Sequence, residues 1–190
     1  MSEILIWTDI ETTGLDETRD LILEIGMQAT DWQLHPLDSG IHLVVRPSLW
    51  WWKRRRMSPF ARQMHMSNKL VDEVNAGGTC GQIVAASRVI QYIDEHSGNG
   101  MSLLAGSSVD FDRRFLKQLR FLGHGALDGV SHRIVDVSVL DEIAKNLYPS
   151  IYALRPGKTT NHRVSNCLTD SMNLYRYYQH HLLPTVREQS

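Results

Sequence analysis

Trp7-Thr8-Asp9-Ile10-Glu11-Thr12-Thr13-Gly14-Leu15-Asp16, near the N-terminus, decides how the rest of the chain is read. Its first residue closes an apolar run, Ile4-Leu5-Ile6-Trp7, with the length and side chains of a buried strand. Two carboxylates one residue apart at the end of such a strand call for a cation, because unpaired buried charge is strongly unfavourable. Alternation along a strand sends Asp9 and Glu11 to one face, where their oxygens can converge on a hard cation such as Mg²⁺ or Mn²⁺. The alternative is a pair of solvated charges at a strand end. Thr12-Thr13-Gly14 favours the metal, since a small, turn-forming segment lets a ligand such as a nucleotide approach the backbone.

Composition sets the bounds. The chain has 190 residues, 42% of them hydrophobic, which is enough for one domain with a real core. A net charge of −1 excludes a general electrostatic sponge for long nucleic acid. No long apolar run or charged-then-apolar leader is present, so neither a membrane span nor a secretion signal is expected. Cys80 and Cys167 are too few for a disulfide framework and point to the reducing cytoplasm.

Residues 21–29 and 40–45 read as the second and third strands of an antiparallel meander, turned through residues 31–39. Pro47 ends the third strand, and Leu49-Trp50-Trp51-Trp52-Lys53-Arg54-Arg55-Arg56-Met57 begins an insert. Its tryptophans and cations suit either a phosphate-tracking, base-stacking patch or a solvated or packing face. Ser58-Pro59 starts a helix, Ser67 or Asn68 caps a short one, and residues 79–96 carry Ile83, Val84, Val89, Ile90 and Ile93 at helical spacing. Ser97-Gly98-Asn99-Gly100 breaks that helix. Residues 101–105 form a fourth strand, 111–122 a helix and 134–137 a fifth strand; Ser138 caps a helix to about Leu147, and the last helix covers 164–181. Strands first in a meander and then alternating with helices describe an α/β fold, a mixed five-stranded sheet flanked by helices.

Asp112, just past the fourth strand, can join the opening acidic pair or simply favour a helix dipole. His162, before the last helix, is a surface histidine or, near a metal, a general base. Taken together, Asp9-Ile10-Glu11-Thr12-Thr13-Gly14-Leu15-Asp16, Asp112-Arg113-Arg114-Phe115-Leu116, Val135-Asp136-Val137-Ser138 and His162-Arg163-Val164 resemble the DEDDh family of 3′-to-5′ exonucleases, and within it the oligoribonucleases. His65-Met66-Ser67-Asn68-Lys69-Leu70-Val71 and Tyr177-Tyr178 extend the resemblance over nearly the whole chain.

The resemblance implies a single exonuclease domain over residues 1–190 with a ribonuclease H-like fold. It further implies a homodimer that trims very short RNA to mononucleotides, down to dinucleotides. Two divalent metals, Mg²⁺ or Mn²⁺, would be held by Asp9, Glu11 and Asp112, with His162 taking the proton from the attacking water. Leu15 matches a wedge between bases, and Phe60 and His65 match the lining of the nucleotide pocket. Ser108, with Arg133 and Ser138 from a partner subunit, matches a cap for the 5′ phosphate.

Two positions depart from the family. Five residues after the histidine, where the family has its last Asp, stands Cys167, a soft and mostly protonated ligand poorly matched to Mg²⁺. Asp170, one turn further on, is a possible substitute through a water. The family's Tyr before the cap Arg is His132, either a water or stacking partner or a surface residue. Three functions therefore stand side by side: an exonuclease with reduced or Mn²⁺-dependent turnover, a catalytically weak dinucleotide-binding protein, and a scaffold that binds another macromolecule through the Trp-Arg insert.

Overall fold

The computed structural model describes residues 3–48, 57–97, 102–159 and 161–183, so the Trp-Arg segment at residues 50–56 and the helix break at 98–100 lie outside the described residues. The meander is β1 (Leu5–Thr12), β2 (Ile22–Thr30) and β3 (Ile41–Arg46), antiparallel throughout. β4 (Cys80–Gly81) pairs parallel with Val45 and Arg46, β5 (Ser102–Gly106) lies parallel to β1, and β8 (Val130–Asp136) lies parallel to β5. The mixed sheet therefore has six strands in the order β4-β3-β2-β1-β5-β8, one more than expected. Two residues carry no alternation to read, and β4 exists because Thr79 donates its N–H to the Val44 carbonyl at 2.7 Å.

The helices are α1 (Pro59–Ser67), α2 (Leu70–Asn75), α3 (Gln82–Ser97), α4 (Val109–Leu116), α5 (Val137–Leu147), α6 (Pro149–Ala153) and α7 (Val164–His181). Ser58 caps α1 as its hydroxyl accepts from Ala61 N–H, and Asn68 Oδ1 accepts from Leu70 N–H at the start of α2. Two expected boundaries move. The N-cap of α5 is Asp136, whose carboxylate accepts from Ser138 N–H, so Ser138 lies inside the first turn. α4 stops at Leu116, because the chain next folds into a small hairpin of β6 (Arg120–Phe121) and β7 (His124–Gly125). Leu122 and Gly123 form its two-residue turn, both with positive φ, and Leu122 is exposed. Ile83 and Val84 in α3 are also exposed, so only the later part of that helix buries its apolar stripe.

β1 has a different core on each face. Ile6 and Ile10 join α3 and α4 through Val89, Ile93, Phe115 and Leu116, whereas Leu5 and Trp7 join α5 and α7 through Val137, Leu168, Tyr175 and Tyr178. Strand parity therefore turns Asp9 and Glu11 toward α7. Asp9 pairs in register with Gly26 of β2, and a Cβ on Gly26 would stand 2.9 Å from side-chain carbons of Val164 and of Leu168. The missing side chain lets α7 lie close beside Asp9. Gly26→Ala is expected to overpack this contact and cost about 1–3 kcal/mol. The measurement is the thermal midpoint, and an unchanged midpoint would show that α7 has room to spare.

Candidate active site

Both acids, expected at the strand's end, stand within β1, which runs to Thr12. β5 pairs with β1 only over Leu5 to Trp7, which leaves the far half of that edge without a neighbouring strand. Asp112, in the first turn of α4, fills part of this gap by accepting the Ile10 N–H at 2.8 Å, near enough to Asp9 and Glu11 for their charges to act on it. From α7, Cys167 brings Sγ to the same place. Donor atoms of Asp9, Glu11 and Cys167 all lie within 4.8 Å of one another, and Cys167 hydrogen-bonds the Asp9 carboxylate. Cys167, rather than Asp170, occupies the position beside the acids. Asp170 lines the same cavity, but its two oxygens accept from the backbone N–H and hydroxyl of Thr159 at 2.9 and 2.7 Å.

Crowded acids in a poorly solvated place resist ionisation. Burial pushes Asp9 up to about 7, against the Cys167 hydrogen bond and with help from the Glu24 charge. Glu11 rises to about 9, first through burial and then through the charges of Asp9 and Glu24, with Arg163 opposing. Asp112 lies well above its ordinary value through burial and the Asp9 charge. Asp9 Oδ2 is shut off from solvent without a hydrogen-bond partner. A divalent cation would satisfy that oxygen and neutralise the repulsion, so the carboxylates fit one; the thiol fits a hard ion poorly.

A pH dependence follows. In the metal-free folded chain these three carboxyls keep their protons to higher pH than in the unfolded chain, where they titrate near about 4. The folded state then binds more protons between about pH 5 and 9, and stability falls as pH rises through that window. His65, held below its ordinary value by burial, works weakly the other way. Thermal midpoints in chelator should decline across the window and the decline should vanish with a divalent cation; a flat profile without metal would remove the coupling between these acids.

His162 sits on the cavity wall with Ser107, Ser108, Lys158 and Cys167. Its backbone is left-handed, with φ 57°, and is held from both sides. Asn68 Nδ2 donates to the carbonyls of Asn161 and His162, while Arg163 spans Glu24 and Glu73 with N···O distances of 2.8–3.0 Å. Glu24 is fully buried; burial works to raise its carboxyl, but hydrogen bonds with His42 and Arg163 outweigh it and hold it below its ordinary value. The sequence reading missed Glu24, Arg163, Asn68 and Lys158. A lone acid inside the apolar run Leu21-Ile22-Leu23-Glu24-Ile25 was the available signal for the first.

The remaining candidates divide. Leu15 and Phe60 are 80% and 74% exposed beside the Thr12–Thr13 segment, to which α1 is tied by Ser58 N–H on the Thr13 carbonyl. His65 is fully enclosed and its Nε2 donates to the Thr12 carbonyl at 2.9 Å, bracing the strand end. Ser108 N–H and Ser138 N–H and hydroxyl all bond Asp136 Oδ1, which places the two serines side by side in one chain. Arg133 and His132 are exposed on β8, the outermost strand.

No protein-family model matches the chain. It is 36% identical over 185 residues to an oligoribonuclease of Streptomyces griseus, covering 94% of this chain and 86% of that protein. An oligoribonuclease of Tropheryma whipplei is 34% identical, with 94% and 93% covered. Among solved structures, Exonuclease I of Methylocaldum szegediense superposes with a TM-score of 0.70 at 16% identity, and E. coli Exonuclease I in complex with a dA16 oligonucleotide with 0.72 at 11%. These matches cover 96% and 94% of this chain but 41% of each longer protein, and they establish a shared ribonuclease H-like fold. By its sequence relatives, with the acids and histidine where the fold brings them together, the chain belongs to the oligoribonuclease family of 3′-to-5′ exoribonucleases.

Proposed function

We propose that this protein removes nucleotides from the 3′ end of very short RNA, 5′-phosphorylated dinucleotides above all, at a site for two divalent cations. The observation that carries the reading is the convergence of Asp9, Glu11 and Cys167 within 4.8 Å, on a cavity whose wall includes His162. Asp9, Glu11 and Cys167 would hold one cation, and Asp9 with Asp112 the other. Bound cations, Mg²⁺ or Mn²⁺, supply a more acidic water and charge stabilisation on the leaving oxygen. His162 takes the proton from the attacking water, on a loop kept in place by Asn68 and Arg163. Leu15 and Phe60, apolar and exposed, offer stacking surfaces to the two bases.

Ser108 and Ser138 form one side of a 5′-phosphate cap, and Arg133 of a second copy the other. Val139, Ile143 and Leu147 are exposed at four-residue spacing along α5 and line one shallow groove, an apolar stripe suited to a homodimer that would bring Arg133 across. Among the described residues, no helix is long and apolar enough to cross a membrane.

Arg133→Ala should lower affinity for a 5′-phosphorylated diribonucleotide by roughly tenfold or more, about the worth of one charge-assisted hydrogen bond. The same dinucleotide without the phosphate should bind as before; equal losses for both would replace the cap with a general positive field. The function itself is tested with a 5′-phosphorylated diribonucleotide and Mg²⁺ or Mn²⁺, following binding and mononucleotide release together. Binding without release in either metal would leave a dinucleotide-binding protein.

A further inference from the structure

The donor set at the centre of the site is mixed, and its chemistry selects among cations. We infer that Asp9, Glu11 and Cys167 form a site for a thiophilic divalent cation, Zn²⁺ or Co²⁺, in preference to Mg²⁺; the inference rests on the metal-site reading of the proposed function and names the ion that site takes. Mg²⁺ asks for near-octahedral oxygen ligands and does not displace the proton of a thiol. Zn²⁺ does, and a thiolate beside two carboxylates is a donor set it accepts.

The geometry admits the smaller coordination number. Donor atoms in a tetrahedral zinc site with oxygen and sulfur ligands stand roughly 3.3–3.5 Å apart, from bond lengths of about 2.0 and 2.3 Å. Here the three donor atoms already lie within 4.8 Å of one another, so closing the set asks for shifts on the order of 1 Å. Three protein ligands leave a fourth position for water or substrate, the arrangement of a catalytic zinc. The second observation pointing to a ligand is Asp9 Oδ2, sealed from solvent and without a hydrogen-bond partner within the same cluster. On binding, the thiol proton that now faces the Asp9 carboxylate passes to solvent, the Sγ–metal bond forms, and no electron changes hands.

The competing role for Cys167 is packing. The buried positions of α7 are Val164, Leu168, Ser171, Leu174, Tyr175 and Tyr178, and Cys167 is not among them. Cys80, the other thiol, lies far along the sheet in β4 at the opposite edge from β8, and it serves as an internal control.

The test uses the full chain, stripped of metal and free of nucleic acid, titrated with Co²⁺ while near-ultraviolet absorbance is followed. A thiolate-to-metal charge-transfer band should appear and saturate, persist in Cys80→Ser, and be lost in Cys167→Ser, with Co²⁺ affinity more than about tenfold weaker. Zn²⁺ should abolish the band, and an equal concentration of Mg²⁺ should leave it. Circular dichroism of Cys167→Ser checks that the fold is retained. Co²⁺ bound without a thiolate band, or displaced as readily by Mg²⁺ as by Zn²⁺, overturns the inference and leaves the exonuclease site standing as a hard-metal site. Should the parent bind none of these ions while Cys167→Asp binds Mg²⁺, the inference again fails and the proposed function survives in that variant. Failure of both proteins to bind any divalent ion removes the metal reading itself.

Discussion

Asp9→Ala is expected to abolish RNA hydrolysis while leaving a folded protein. One carboxylate serves every cation position in the proposed mechanism, so its loss should lower turnover by at least about a thousandfold, roughly 4 kcal/mol of barrier. The fold should not suffer equally. Asp9 is held out of its ordinary titration range by burial, and its charge raises both Glu11 and Asp112, so removing it relieves repulsion in the metal-free chain. The two readouts are mononucleotide release from a short oligoribonucleotide and the thermal midpoint in chelator. Near-parental turnover from a well-folded variant would end the metal reading of β1.

The second large effect is a gain. Cys167→Asp should raise Mg²⁺-supported hydrolysis by well over tenfold, equivalent to roughly 1.4 kcal/mol or more of barrier. Sγ already stands among the acids, so the new carboxylate arrives where a hard ligand is missing. Asp170 is not expected to have filled the vacancy, because Thr159 holds both of its oxygens. Kinetics at saturating Mg²⁺, alongside Mg²⁺ titration of the metal-free variant, gives the answer. No gain in either would mean that another group completes the site.

The sequence made the acidic pair legible because strand parity needs only a short run of residues, and it made the meander legible because its strands are long and apolar. It placed both acids at the end of β1 but did not show Glu24 opposite Glu11. Such pairing is a property of two strands and has no trace in either alone. α4 was drawn too long for a related reason. Leu119 and Leu122 keep the helical spacing, yet Leu122 turns a hairpin and faces solvent, a choice made by the turn with Gly123. The residue type at His65 said nothing of burial, and the ring is enclosed. The two-residue β4 and the Arg163–Glu24–Glu73 chain of ion pairs depend on residues 24 to 163 meeting in space, beyond any local pattern.

The division of β1 into a half paired on both sides and a half paired on one has a meaning for how this protein tolerates change. Leu5 to Trp7 are locked between β2 and β5, and they carry the packing that the two helical layers need. Asp9 and Glu11, the candidate ligands, lie beyond the reach of β5, while Ile10 between them still packs against α3 and α4. On α7 the same partition recurs, with Cys167 offset from the positions that fill the core. A point substitution at a ligand position is therefore expected to change the ion or the activity and leave a scaffold on which the original chemistry can be rebuilt.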